Sequence, residues 1–152
     1  MTAGLPSPTA HEIHGLDGWS LNLEVYSPDT DAIATVVVGH ALMVKRNSLV
    51  SAHRPSLVQT LVSQNYQVVV PEMRGRGKSG PEPSRHESWN YGSLVDDMGL
   101  FIRFAKNLDE RLPLYVVGHS LGGHLSMAYL GLKPKTPVEG VVLLGAVVWC
   151  PK

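Results

Sequence analysis

Cysteine is almost missing from this sequence of 152 residues: Cys150 stands alone, so no internal disulfide can form. No Cys/His pair has the spacing of zinc ligands, and neither a structural metal nor a cofactor is implied. An excess of one charge is missing too. The 13 Lys and Arg balance 13 Asp and Glu, and without a basic block the attraction that carries nucleic-acid binding and adhesion to anionic membranes is removed. Long apolar runs are also lacking: Val141 to Cys150, the longest strongly apolar stretch, is about half the ~20 residues that cross a bilayer and reads as a buried strand. The start, Met1-Thr2-Ala3-Gly4-Leu5-Pro6, has neither the basic opening nor the apolar stretch of a secretory signal, so a cytoplasmic location is expected.

What is present is a chain of one-domain size, 43% hydrophobic and 17% charged, too apolar for a disordered segment. Fifteen glycines and 11 prolines predict many turns. Residues 1–10, rich in Pro, Ser and Thr, are expected as a loose lead-in, with residues 11–152 forming the domain. From Trp19 to Tyr26, Leu21, Leu23 and Val25 alternate with polar neighbours, the period of a half-exposed strand. Ala34 to Val38 and Tyr66 to Val70 are β-branched runs without alternation, the pattern of parallel strands covered on both faces. Between them, Arg54 to Asn65 spaces its apolar residues at helical intervals. Ser93 to Leu108 predicts a second crossover helix, with Asp96, Asp97, Arg103 and Lys106 largely on its polar face. Leu114 to Val117 reads as a strand, Leu121 to Leu132 as a helix and Val138 to Val148 as a last strand. The fold class is therefore α/β: a doubly wound, mostly parallel sheet with helices on both faces and functional groups at the carboxyl ends of the strands.

The most informative segment is Val117-Gly118-His119-Ser120-Leu121-Gly122-Gly123, where a strand gives way at once to a helix. A serine on so sharp a corner projects its hydroxyl above the sheet edge, and Gly118 and Gly122 supply the room. The amino terminus of the helix puts the Leu121 N–H where an oxyanion forms. This G-x-S-x-G nucleophile elbow resembles that of the α/β-hydrolase family, and the likeness extends to two further motifs. After the strand ending at Val38, Gly39-His40-Ala41-Leu42 is similar to the family's His-Gly-X oxyanion loop, with Ala41 in place of Gly; the resemblance makes the Leu42 N–H the second oxyanion donor. After the strand ending at Val70, Pro71 to Ser79 is similar to the family segment D-x-R-G-x-G-x-S, with Glu72 replacing Asp. The likeness covers roughly residues 12–150.

Each motif also has a blander or competing reading. Ser120 capping the following helix is the plain alternative, but it leaves the flanking glycines unexplained. Gly75 to Gly80 spells G-x-G-x-x-G, yet a dinucleotide fingerprint must open a helix and Pro81-Glu82-Pro83 follows. A phosphate-binding P-loop requires Gly five positions before Gly77, where Glu72 stands. Arg74 reads as a structural tie between loops rather than a substrate ligand. Cys150, in an apolar run, lacks a polarising partner for nucleophilic work. His11, His14 and His53 read as surface residues, His124 as packed on the sheet, and His40 and His86 as poor candidates for a base.

The family order of catalytic residues is Ser, then acid, then His along the chain. Here no histidine follows His124 and no acid follows the strand over 138–148, so the resemblance implies an amino-terminal part, truncated after the strand that follows the elbow helix. The expected activity is that of a serine hydrolase acting on a carboxylic ester, less readily an amide, through an acyl-enzyme on Ser120, with the chain alone nearly inactive. The alternatives are a non-catalytic remnant serving as an interaction module, and an acyltransferase. The partners expected are a small ester or acyl substrate and, along 138–148, a second copy or a complementing chain at an open sheet edge. Substrate identity has no signature in the sequence.

Overall fold

The computed structural model describes residues 4–42, 44–50, 55–80, 90–132 and 136–146. In chain order these form β1 (Thr9–His14), β2 (Ser20–Tyr26), β3 (Ala34–Gly39), α1 (Leu57–Ser63), β4 (Tyr66–Pro71), α2 (Tyr91–Leu108), β5 (Leu114–His119), α3 (Leu121–Leu132) and β6 (Gly140–Leu144), with one 3₁₀ turn over Arg46–Ser48. The sheet order is β1-β2-β4-β3-β5-β6. β3, β4, β5 and β6 run parallel, while β1 and β2 form an antiparallel hairpin on the β4 side.

The unbroken valine runs of the central strands are explained by two cores, one on each face of the sheet. Val37, Val69 and Val116 pack with Val95, Met98, Phe101, Ile102, Leu125 and Tyr129 of α2 and α3. Their neighbours Val36, Val38, Val68, Val70 and Val117 point the other way, against Leu49 and against Val58 and Val62 of α1. A period of two with both phases apolar is what two helical layers require.

Four sequence expectations are corrected. The lead-in over 1–10 ends early, because Thr9 and Ala10 already pair with Val25 and Glu24 in β1. Its Thr-Ala-His-Glu-Ile-His pattern lacks an apolar face because β1 is an edge strand, mostly exposed. Asp97 is not on a solvated face: it is buried in α2 and accepts from Arg74 Nε at 2.7 Å and Nη2 at 2.9 Å. The last strand is shorter than 138–148 among the described residues, and Val141 to Leu144 are 39–52% exposed rather than buried, since β5 alone pairs with β6 and only α3 packs on it closely. The helix expected over 54–65 is α1 alone: Ser56 Oγ accepts the Gln59 N–H as its cap, and Asn65, at φ 62°, turns the chain into β4.

A set of polar ties fixes the loops at the carboxyl ends of β3 and β4. Arg74 joins Asp97 of α2 to Asp17 in the β1–β2 turn, with its guanidinium 5.1 Å from the Trp19 ring centroid. This is the structural tie read from the sequence, and it holds the Asp17 carboxyl down at about 2. Trp19 Nε1–H donates to Ser79 C=O at 2.7 Å, and Ser79 Oγ–H donates to Glu72 C=O at 2.6 Å. His40 is fully buried: its Nδ1–H donates to Ala41 C=O at 2.8 Å and its Nε2 accepts the Met73 N–H at 3.0 Å. That pairing requires the neutral imidazole, and burial lowers its pKa, aided by the charges of Arg76 and Arg46.

α3 begins directly against the sheet because three main-chain segments, the ends of β3 and β5 and the first turn of α3, meet without side chains. A Cβ on Gly122 would stand 2.6 Å from the carbonyl carbon and oxygen of Gly39 at the end of β3. One on Gly118 would stand 2.5 Å from the Gly123 nitrogen. Neither set of atoms can move aside, being backbone.

Two outcomes follow. Gly122→Ala lowers the free energy of unfolding by about 3 kcal/mol, whereas Gly131→Ala, in the same helix with open space around it, raises it by about 0.5 kcal/mol; urea titrations of both variants measure this. The His40 imidazole protonates in the unfolded chain below about 6.5 but in the folded protein only further into acid. Its contribution is therefore fully present above that pH and is lost as pH falls through it, at no more than about 1.4 kcal/mol per pH unit. His40→Gln should show a flatter dependence of the urea midpoint between pH 7.5 and 5.5 than the parent chain.

Candidate active site

β3 and β5 are neighbours with Gly39 opposite Gly118, so the segments that leave their carboxyl ends start side by side. From β5 the chain reaches Ser120 one residue after the strand and one residue before α3. Ser120 has φ 51°, the left-handed region that L-residues rarely occupy, and such local strain is characteristic of functional sites. It is held there by its main chain: its N–H donates to Leu144 C=O at 2.9 Å and its C=O accepts the His124 N–H at 3.1 Å. β6 thereby anchors the corner, a dependence not foreseen from the sequence. The Ser120 side chain is half-buried.

Leu121 is the first residue of α3, so its N–H belongs to the unsatisfied first turn of a helix. Gly122 and Gly118 lie in the crossing described above. Leu42 sits in the turn after β3 with its side chain 42% exposed. Ser120 and Leu121 follow the end of β5 and Leu42 the end of its neighbour β3.

The histidines divide differently. His40 has both ring nitrogens committed to main-chain groups and is no base for Ser120. His124 does not pack on the sheet: its Nε2 is 2.7 Å from the Tyr91 hydroxyl, and the two rings lie 5.5 Å apart, joining the first turns of α2 and α3. Nothing in the spacing of Tyr91 announced this partner. His11 packs edge-on against Phe104 at 5.1 Å rather than standing free on the surface, and His14 is exposed. His53, His86, Cys150 and the Pro-rich loop from 81 lie outside the described residues. Glu139, the one acid after the elbow, precedes β6 and donates its N–H to Leu114 C=O at the start of β5, the opposite end of the sheet from Ser120.

Residues 74–80 form successive turns and open no helix, which removes the dinucleotide reading. Among the described residues, no group of three or more His, Cys, Asp or Glu is arranged to hold a metal ion. Nor is any helix of the described residues long and apolar enough to cross a membrane.

The fold has counterparts in known proteins. A monoacylglycerol lipase of Mycolicibacterium smegmatis is 28% identical over 138 residues, covering 91% of this chain and 46% of that protein. A soluble variant of monoglyceride lipase from Saccharomyces cerevisiae superposes with a TM-score of 0.78 at 19% identity, over 95% of this chain and 46% of that one. A thermostable carboxyl esterase from Bacillus coagulans gives a TM-score of 0.73 at 16% identity, over 91% and 44%. The chain thus spans less than half the length of these relatives, and the two structural likenesses establish the fold. The family described as serine aminopeptidase, S33, matches residues 35–152, from the first parallel strand through the elbow to the last residue. By that match and that fold, the chain belongs to this family of α/β hydrolases.

Proposed function

We propose that Ser120 is the nucleophile of a serine hydrolase that cleaves carboxylic esters through an acyl-enzyme. The observation that carries this reading is the left-handed backbone of Ser120 at the β5–α3 corner, a strained position for a serine. The lipase and esterase names of the relatives support an ester over an amide. The Ser120 oxygen adds to the ester carbonyl, and the carbonyl oxygen, now an anion, accepts the N–H groups of Leu42 and Leu121. Each donor contributes roughly 3–4 kcal/mol to the transition state. Collapse expels the alcohol, which takes up the proton the serine gave, and water releases the acid from the acyl group. A base must carry that proton. Among the described residues, His40 and His124 are engaged elsewhere and Glu139 is at the wrong end of the sheet, so none of these three serves, and turnover without a base is slow; its loss costs on the order of 10⁴–10⁶ in rate.

A fluorophosphonate probe tests the assignment. The parent chain is labelled at Ser120, slowly for want of a base and so read after long incubation at high probe concentration, and Ser120→Ala is not, by intact mass and peptide mapping. An unlabelled parent chain favours a non-catalytic interaction module, and acyl transfer to an added alcohol in preference to water favours an acyltransferase.

β6 supports a second proposal, about partners. Val141 to Leu144 expose apolar side chains on both faces, next to main-chain groups that no described strand pairs. Such an edge takes up a further strand, here from a second copy or a complementing chain. Sedimentation should show concentration-dependent association of the chain, reduced in Val142→Lys. A monodisperse monomer with protected amides over 141–144 overturns this.

A further inference from the structure

The loop from His40 to Arg46 carries the Leu42 amide, and its far end is tied to a buried carboxylate, with His40 close by at the near end. Glu72, buried at the end of β4, accepts the main-chain N–H of Arg46 on Oε1 at 3.0 Å. The same oxygen lies 3.7 Å from His40 Nε2, and Oε2 lies 3.6 Å from Arg46 Nε. The Arg46 guanidinium is satisfied mainly by others, Glu24 at 2.7 Å and Asn22 at 3.2 Å, both on β2. Glu72 is itself tightly placed. Its N–H donates to Asn22 C=O at 2.8 Å, its C=O accepts from Ser79, and its side chain fills the space where Gly77, at φ 50°, would carry a Cβ. This position is also where the chain departs from the aspartate of the family segment it resembles. An aspartate, one methylene shorter, would draw the carboxylate back by about 1.5 Å, beyond hydrogen-bond reach of the Arg46 N–H.

We propose that Glu72 is a positioning residue for the oxyanion loop, fixing the Leu42 amide through the main chain of Arg46 by the length of its side chain rather than by its charge. The proposal rests on the reading of Ser120 and Leu42 given above. Its consequence is an unusual order of substitutions. Glu72→Gln keeps an oxygen at the Arg46 N–H and loses only the charge, while Glu72→Asp keeps the charge and loses the contact.

The test follows the rate of Ser120 labelling by a fluorophosphonate, resolved into the limiting rate and the half-saturating concentration, beside hydrogen exchange of the Arg46 amide. In Glu72→Asp the limiting rate falls at least tenfold with half-saturation within twofold, and the Arg46 amide loses protection. In Glu72→Gln both stay within about threefold of the parent. The reverse order, aspartate tolerated and glutamine not, overturns the proposal in favour of a charge role for Glu72. Should Glu72→Asp fail to fold, Glu72→Gln decides: a retained rate and a protected Arg46 amide support the proposal, and loss of either refutes it. If the parent chain itself is not labelled, the reading of Ser120 falls, whereas Arg46 exchange in the two variants still reports on the contact with Glu72.

Discussion

The bare main-chain contact between the end of β3 and the first turn of α3 is the constraint on which the site depends. Gly39 and Gly122 touch through backbone alone, and Gly118 and Gly123 do the same one strand away. Because the helix can sit that low, the chain reverses direction within one residue, and that residue is Ser120 in a left-handed conformation. Any side chain in the crossing would lift α3 off the sheet, lengthen the corner and separate Leu121 from the loop after β3. Close packing of backbone on backbone thus converts a glycine pattern into an abrupt corner.

Around this apolar crossing the loops are held by buried polar groups with their valences filled. Arg74 is shared between two carboxylates, Glu72 between two loops, and His40 between Ala41 and Met73. Each joins segments distant in sequence, and each would be costly to leave unpaired in the interior. Placing such groups at one end of the sheet ties its loops together, as the main-chain donors proposed above would need.

Much of the arrangement could be read from the sequence because its causes are local. α3 has the expected bounds, β3, β4 and β5 are each within two residues of theirs, and the corner lies where Gly118 and Gly122 put it. What escaped reading has non-local causes. β1 is stabilised by register against β2 and carries no apolar face of its own, so periodicity is blind to it. Asp97 falls on the wrong side of a helical wheel only until Arg74 is brought up from 23 residues away. The Tyr91 to His124 contact and the Glu72 to Arg46 contact likewise depend on folded proximity, although the unusual glutamate was itself a clue. The exposure of Val141 to Leu144 reflects which neighbours flank a strand, something composition cannot state.

The two margins of the sheet are chemically unlike. On one side β1 presents Thr9, Glu12 and His14 to water, side chains that discourage further pairing; on the other β6 presents Val and Leu. Under the association proposed for β6, strand addition would be one-directional. Two copies meeting β6 to β6 would leave only polar β1 margins outermost, so assembly by that route would end as a symmetric pair and not propagate into a fibre.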